Sequence, residues 1–128
     1  MRLLLDTHAL LWWLGDDSKL GMRARGLILD AENEILVSVV SLWEIAVKSR
    51  IGKLNVTVED VLAVLPDQGF ERIEITDAHL VALQRLPTHH RDPFDHLLIA
   101  QAIAEGASLL SEDEHASQYA VSVETCSA

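Results

Sequence analysis

Four acids carry the chemistry this sequence can perform: Asp6, Glu44, Asp95 and Asp113, widely separated along the chain and each set where one element should give way to the next. Asp6 closes the apolar run Arg2 to Leu5, Glu44 follows the β-branched run Ile35 to Val40, Asp95 lies in the first turn of PFDHLLIAQAIAE, and Asp113 comes just after the apolar run Ala107 to Leu110. Each acid also fits a local role. Asp6 and Asp113 can cap helices, Glu44 can complete a capping box with Ser41, and Asp95 suits the positive end of a helix dipole. Local roles give no reason for four separate elements to bring an acid to the same kind of place. Converging carboxylates repel one another unless a cation or protons intervene. Oxygen ligands, with no cysteine cluster and no fixed histidine pair, select Mg²⁺ or Mn²⁺ over zinc. An ion held this way activates a water and stabilises a leaving oxygen in phosphodiester cleavage.

Other candidates are weaker. His89 and His90 can act as bases or ligands, but Thr88 and Arg91 beside them favour a solvated loop. Lys48, Arg50 and Lys53 can grip a phosphate backbone, although a solvated face at the end of an amphipathic helix is the ordinary explanation. Trp12, Trp13 and Trp43 are expected as core or oligomer contacts rather than stacking platforms, and the adjacent Trp12 and Trp13 cannot both point inward. No Gly-rich phosphate loop is present.

The elements that must position these acids follow from patterning. Arg2 to Leu5 predicts a strand ending at Asp6, and the helix after it stops at Gly15. Gly21 to Ala31 predicts an amphipathic helix, Ile35 to Val40 a buried strand, and Ser41-Leu42-Trp43-Glu44 a capping box opening a helix that closes at Gly52. Thr57 to Leu65 predicts a helix stopped by Pro66, Glu71 to Ile75 a third strand, and Thr76 or Asp77 the cap of the next helix. Asp92 as N-cap, Pro93 at the first helical position and Gly106 after the last delimit a helix with almost no polar stripe, expected in the middle of the domain. Ala107 to Leu110 predicts a fourth strand, a short helix follows, and Val121 to Val123 is a candidate fifth. This alternation predicts a single α/β domain over residues 1–128, with a mainly parallel sheet of four to five strands flanked by helices on both faces. Ligands of such sheets bind outside the carboxyl ends of the strands, the edge all four acids can reach.

Composition narrows the class. A chain of 128 residues, 49% hydrophobic, supports one well-cored domain. Cys126, the only cysteine, lies in the terminal tail, so no intrachain disulfide or thiolate cluster is expected, and a reducing, cytoplasmic setting is. No uncharged run approaches the roughly 20 residues of a membrane span, so no membrane association is expected. A net charge of −10 argues against a broad basic face for nucleic acid and suits acids gathered around cations, or a basic protein partner.

Through LLLDTHALLWWL, SVVSLWEIAVKSRIGKL and HRDPFDHLLIAQA followed by LLSEDE, the chain resembles PIN-domain ribonucleases, in particular the VapC-like toxins of bacterial toxin–antitoxin pairs. The likeness runs over nearly the whole length with the family's spacing. It implies a PIN-like fold and a Mg²⁺ or Mn²⁺ site carried by Asp6, Glu44, Asp95 and Asp113. It further implies endonucleolytic cleavage of RNA, homodimers or toxin–antitoxin hetero-oligomers, and inhibition by a cognate antitoxin seated in the active-site groove. Thr7 and Ser111 match positions where the family often has a hydroxyl near the acids, Ser41 stands as a further supporting residue, and Asp92 is assigned to capping or support. Lys48, Arg50, Lys53, His90 and Arg91 are the candidate contacts to RNA. The family usually reads Thr-x-Asp, then a basic or small residue and an aromatic. Here Ser111-Glu112-Asp113-Glu114-His115-Ala116 adds two negative charges beside the fourth acid. The competing reading is a catalytically poor module that keeps the fold to bind a protein partner; divalent-metal binding separates the two.

Overall fold

The computed structural model describes residues 1–128. Five strands, β1 (Arg2–Leu5), β2 (Glu34–Ser38), β3 (Glu71–Ile73), β4 (Ser108–Ser111) and β5 (Val123–Thr125), form one sheet in the order β3-β2-β1-β4-β5, every neighbouring pair parallel. Strand and helix alternate because parallel neighbours need a long crossover, and a helix is the usual one. Six helices supply the layers: α1 (Thr7–Leu14), α2 (Met22–Leu29), α3 (Val39–Arg50), α4 (Val58–Val64), α5 (Asp77–Arg85) and α6 (Pro93–Glu105). No helix is long and apolar enough to cross a membrane.

The strands are apolar on both faces, and their two-residue period divides the core. Leu3 and Leu5 of β1, Ile35 and Val37 of β2 and Leu110 of β4 pack under α1 to α4; Leu4, Leu36 and Leu109 pack under α6 and α5. α6 behaves as its composition predicts, with Leu97 to Ala102 buried without interruption. Its ends match as well: Asp92 accepts from the N–H groups of Phe94 and Asp95 at 3.0 and 3.2 Å, and Gly106 takes the left-handed conformation at φ 63°.

Several boundaries differ from expectation. β2 ends at Ser38, and Val39 and Val40 open α3. Ser38 is its N-cap, accepting from Val40 N–H at 3.0 Å, so Ser41 is a buried residue inside the helix and makes no capping box with Glu44. β-branched residues favour strands only where the pleated surface suits them, and here the cap and burial override that preference. β3 stops at Ile73, and β5 lies two residues later than Val121 to Val123. Cys126 is not in a loose tail: it is fully buried in the core below α1 to α4. Just beyond it the Ala128 carbonyl accepts from Arg23 and Ala24 N–H at 2.9 and 3.3 Å, satisfying the start of α2, which has no side-chain cap. A Cβ on Gly21 would come within 2.3 Å of that oxygen, so the close approach requires glycine.

Candidate metal centre

The carboxyl edge of the sheet carries a crevice of 360 Å³ lined by Asp6, Thr7, His8, Trp12, Glu44, Lys48, Asp92, Asp95, Glu112 and Asp113. All four acids singled out by the sequence face it. Central β1 runs straight into Asp6, whose N–H continues the ladder to the Leu110 carbonyl at 3.0 Å and so brings the ends of β1 and β4 together. Asp6 also caps α1, accepting from Ala9 N–H at 2.8 Å. Its local and site roles therefore coexist. Ser111, at the end of β4, receives the Asp113 N–H at 3.0 Å and gives its own proton to Asp6. Asp113 in turn accepts from His115 N–H at 2.9 Å, which fixes the turn after β4.

Glu44 stands in the second turn of α3, almost fully buried. Thr7 donates to it at 2.6 Å and lies 3.1 Å from Ser41 Oγ; with a single hydroxyl proton spent on Glu44, Thr7 accepts from Ser41. Lys48, one turn on, bonds the other carboxylate oxygen. Glu44 thus reaches the crevice already paired with a cation, and of the four acids singled out Asp6, Asp95 and Asp113 have no lysine or arginine partner.

The electrostatics follow. Burial holds Asp6 above the usual carboxylate range, with the Ser111 and Ala9 hydrogen bonds working against it. Asp95 is pushed up to about 9, first by burial, then by its contact with Asp113 and by the charges of Asp92, Asp113 and Asp6. The hydrogen bond from Asp95 lowers Asp113. Without an ion, the pair shares a proton that a cation would displace.

His90 does not lie in a solvated loop. Its side chain is 8% exposed, its ring stacks on His115 at 5.0 Å, and Nδ1 is 2.8 Å from the Tyr119 hydroxyl. Nε2 faces Asp95 Oδ2 at 3.6 Å and Asp113 Oδ2 at 4.0 Å. Burial, then His96, holds His90 below its ordinary value. Arg50, Lys53 and Arg91 are exposed and outside the crevice lining, whereas Lys48 forms part of its wall. Trp12 lines the crevice beside His8 and Trp13 donates to Gln68 at 2.9 Å, but both are half-buried against the core below α1 to α4. The expectation that the two cannot both point inward is not met, because neighbours on a helix are only about 100° apart. Of the two extra acids after β4, Glu112 is held by Ser127 N–H and hydroxyl at 2.7 and 2.9 Å, and Glu114 is exposed.

Beyond the carboxyl ends of β2 and β3, sequence reading missed a buried polar cluster. Gln101 of α6 accepts from Ser38 and donates to the Glu74 carbonyl at 3.2 Å. His79 accepts from Thr76 N–H at 3.0 Å through Nδ1, so Nε2 donates to Glu105 at 2.8 Å. This cluster ties α5 to α6 and lies away from the crevice.

A model of the PIN domain matches residues 3–122. Ribonuclease VapC22 of Mycobacterium tuberculosis is 29% identical over 113 residues, covering 86% of this chain and 85% of that one. Among solved structures, a chain of VapBC2 from Rickettsia felis, bound to a DNA fragment from its promoter, is similar with a TM-score of 0.75 at 19% identity over 98% of both chains. VapBC-1 from nontypeable Haemophilus influenzae gives 0.71 at 13% identity over the whole of both chains. At these identities the structures speak for the fold. With the family match running from within β1 to the residue before β5, and acids gathered at the carboxyl edge of a parallel sheet, this chain belongs to the PIN-domain family.

Proposed function

We propose that this chain, a single domain over residues 1–128, is a Mg²⁺- or Mn²⁺-dependent endoribonuclease and the toxin of a toxin–antitoxin pair. The observation that carries the reading is the meeting of Asp6, Asp95 and Asp113 in one crevice from three separate elements, with Asp95 raised by burial and its neighbours. That donor set fits a hard divalent ion: oxygen-rich, partly buried, and without a protein cation on these three acids. A bound ion supplies Lewis acidity toward a phosphodiester and lowers the pKa of a water.

The chain's own residues do the rest. Asp6, Asp95 and Asp113 hold the ion, and Glu44 closes the ring of acids on the α3 side. Ser111 orients Asp6, Thr7 and Ser41 orient Glu44, and Asp92 fixes the first turn of α6 and hence Asp95. Lys48 is the basic group placed to meet a scissile phosphate; Arg50, Lys53 and Arg91 are assigned to the approaching RNA strand. The VapBC and FitAB assemblies among the structural relatives support a protein partner, and a net charge of −10 favours one with a basic segment reaching the crevice. Homodimers, or hetero-oligomers with that antitoxin, in the cytoplasm are the assembly we assign.

Purified chain free of partner should cut RNA with Mn²⁺ and stop in chelator. Asp6→Asn should abolish cutting while the circular dichroism spectrum stays unchanged. Equal cutting in chelator, or none across a broad RNA panel with bound metal, would refute the enzyme and leave a PIN-fold binding module.

A further inference from the structure

Two buried ring nitrogens have no hydrogen-bond partner, His90 Nε2 and His115 Nδ1, and the first is aimed at the acids. A buried polar atom left unpaired costs free energy, so its orientation needs a reason. At 3.6 and 4.0 Å from Asp95 and Asp113, Nε2 is too far for a hydrogen bond to either. The spacing instead suits ligands of a common ion. Donor atoms bound at about 2.0 to 2.2 Å stand roughly 3 to 4 Å apart, depending on whether they are adjacent or opposed. Here one donor atom from each of His90, Asp95 and Asp113 lies within 4.8 Å of the others.

The ring is held as a ligand's ring is held. A metal-bound histidine usually gives its other N–H to a fixed acceptor. Nδ1 of His90 is 2.8 Å from the hydroxyl of Tyr119, itself buried and anchored by His89 N–H at 3.1 Å. His115 stacks on one face with the planes 11° apart, and His96 bonds the His90 carbonyl at 2.7 Å.

We propose that His90 Nε2 is a ligand, with Asp95 and Asp113, of the divalent ion in the crevice, and that this nitrogen moves the preference of the site from Mg²⁺ toward first-row transition ions. Carboxylate and water suit Mg²⁺, whereas imidazole suits the transition metals. The inference rests on the ion site assigned under Proposed function, and its test tells the two apart.

The full chain, freed of metal and loaded with Mn²⁺, is examined by pulsed electron paramagnetic resonance. Expected are nitrogen modulation that changes when the protein carries ¹⁵N-histidine, its loss in His90→Gln, and its survival in His8→Gln, His96→Gln and His115→Gln. Calorimetric titration should show the Mn²⁺ over Mg²⁺ preference falling in His90→Gln, and Mn²⁺ binding about 10- to 100-fold weaker in Tyr119→Phe. If His90→Gln does not fold, the isotope comparison, the other three variants and a fourth, His89→Gln, make the assignment by elimination, the sixth histidine, His79, lying outside the crevice and bonded to Thr76 and Glu105. Mn²⁺ bound without histidine nitrogen, or nitrogen that persists in folded His90→Gln, overturns the role of His90 and leaves the acidic site intact. Wild type that binds no Mn²⁺ overturns both.

Discussion

Asp95 separates a helix-start acid from a member of a site. The cap of α6 is Asp92, which takes both free N–H groups, so the Asp95 carboxylate has no capping work. It meets Asp113, Asp6 and Asp92 instead and is pushed up to about 9, mainly by burial. A carboxyl whose folded pKa lies above its unfolded value, about 3.9, gives its full stabilising contribution below that value and loses it as pH rises toward the folded one. Ion-free wild type should therefore lose melting temperature relative to Asp95→Asn between about pH 4 and 9, and at pH 7 to 8 the variant should melt no lower than wild type. Mn²⁺ should restore wild type, by about 2.7 kcal/mol with free ion a hundredfold above its dissociation constant, and Asp95→Asn should lose most of that gain. Calorimetric melts with and without Mn²⁺ check both. An ion-free variant clearly less stable, with its Mn²⁺ response intact, would make Asp95 a dipole acid. The acids at strand and helix ends were legible in the sequence because position in the element fixes where they point. His90 was not: Thr88 and Arg91 give it a solvated look, and its burial depends on Tyr119, 29 residues further along.

At the scale of elements, the start of α3 shows where patterning misleads. Val39 and Val40 read as strand, which displaced the expected cap to Ser41. The two serines now differ testably. Ser38→Ala removes the N-cap and leaves the Gln101 oxygen buried without its donor, for a combined cost of about 2 to 4 kcal/mol. Ser41→Ala removes a single bond to Thr7 and should cost about 0.5 to 1.5 kcal/mol. Urea midpoints at constant slope would show the order, and the reverse order would restore the box at Ser41. α6, by contrast, was legible to the residue, because Asp92, Pro93 and Gly106 are local signals that tertiary packing leaves alone. Gln101 and His79 could not be recognised as partners from sequence, since what satisfies them comes from β2, the segment after β3, and the far end of α6.

For the whole molecule, alternating strands and helices announced a parallel sheet, but its order is set by crossovers between distant segments and was not written in any stretch of sequence. That order places the first strand of the chain at the centre, with β2 on one side and β4 on the other. Half of the neighbours of β1 therefore come from the last quarter of the chain, and with them come Ser111, Asp113 and the carbonyl that satisfies the start of α2. A chain ended after residue 105 would have neither β4 nor Asp113; it should show no cooperative melt, and a sharp transition from such a fragment would contradict this dependence. During translation the consequence is one of timing. Ribosomes add about 5 to 20 residues each second, so roughly 5 to 20 s pass between the making of Asp6 and that of Asp113. Throughout that interval the nascent polypeptide has an incomplete ring of carboxylates. A site built this way is unarmed until the last of its acids has been made.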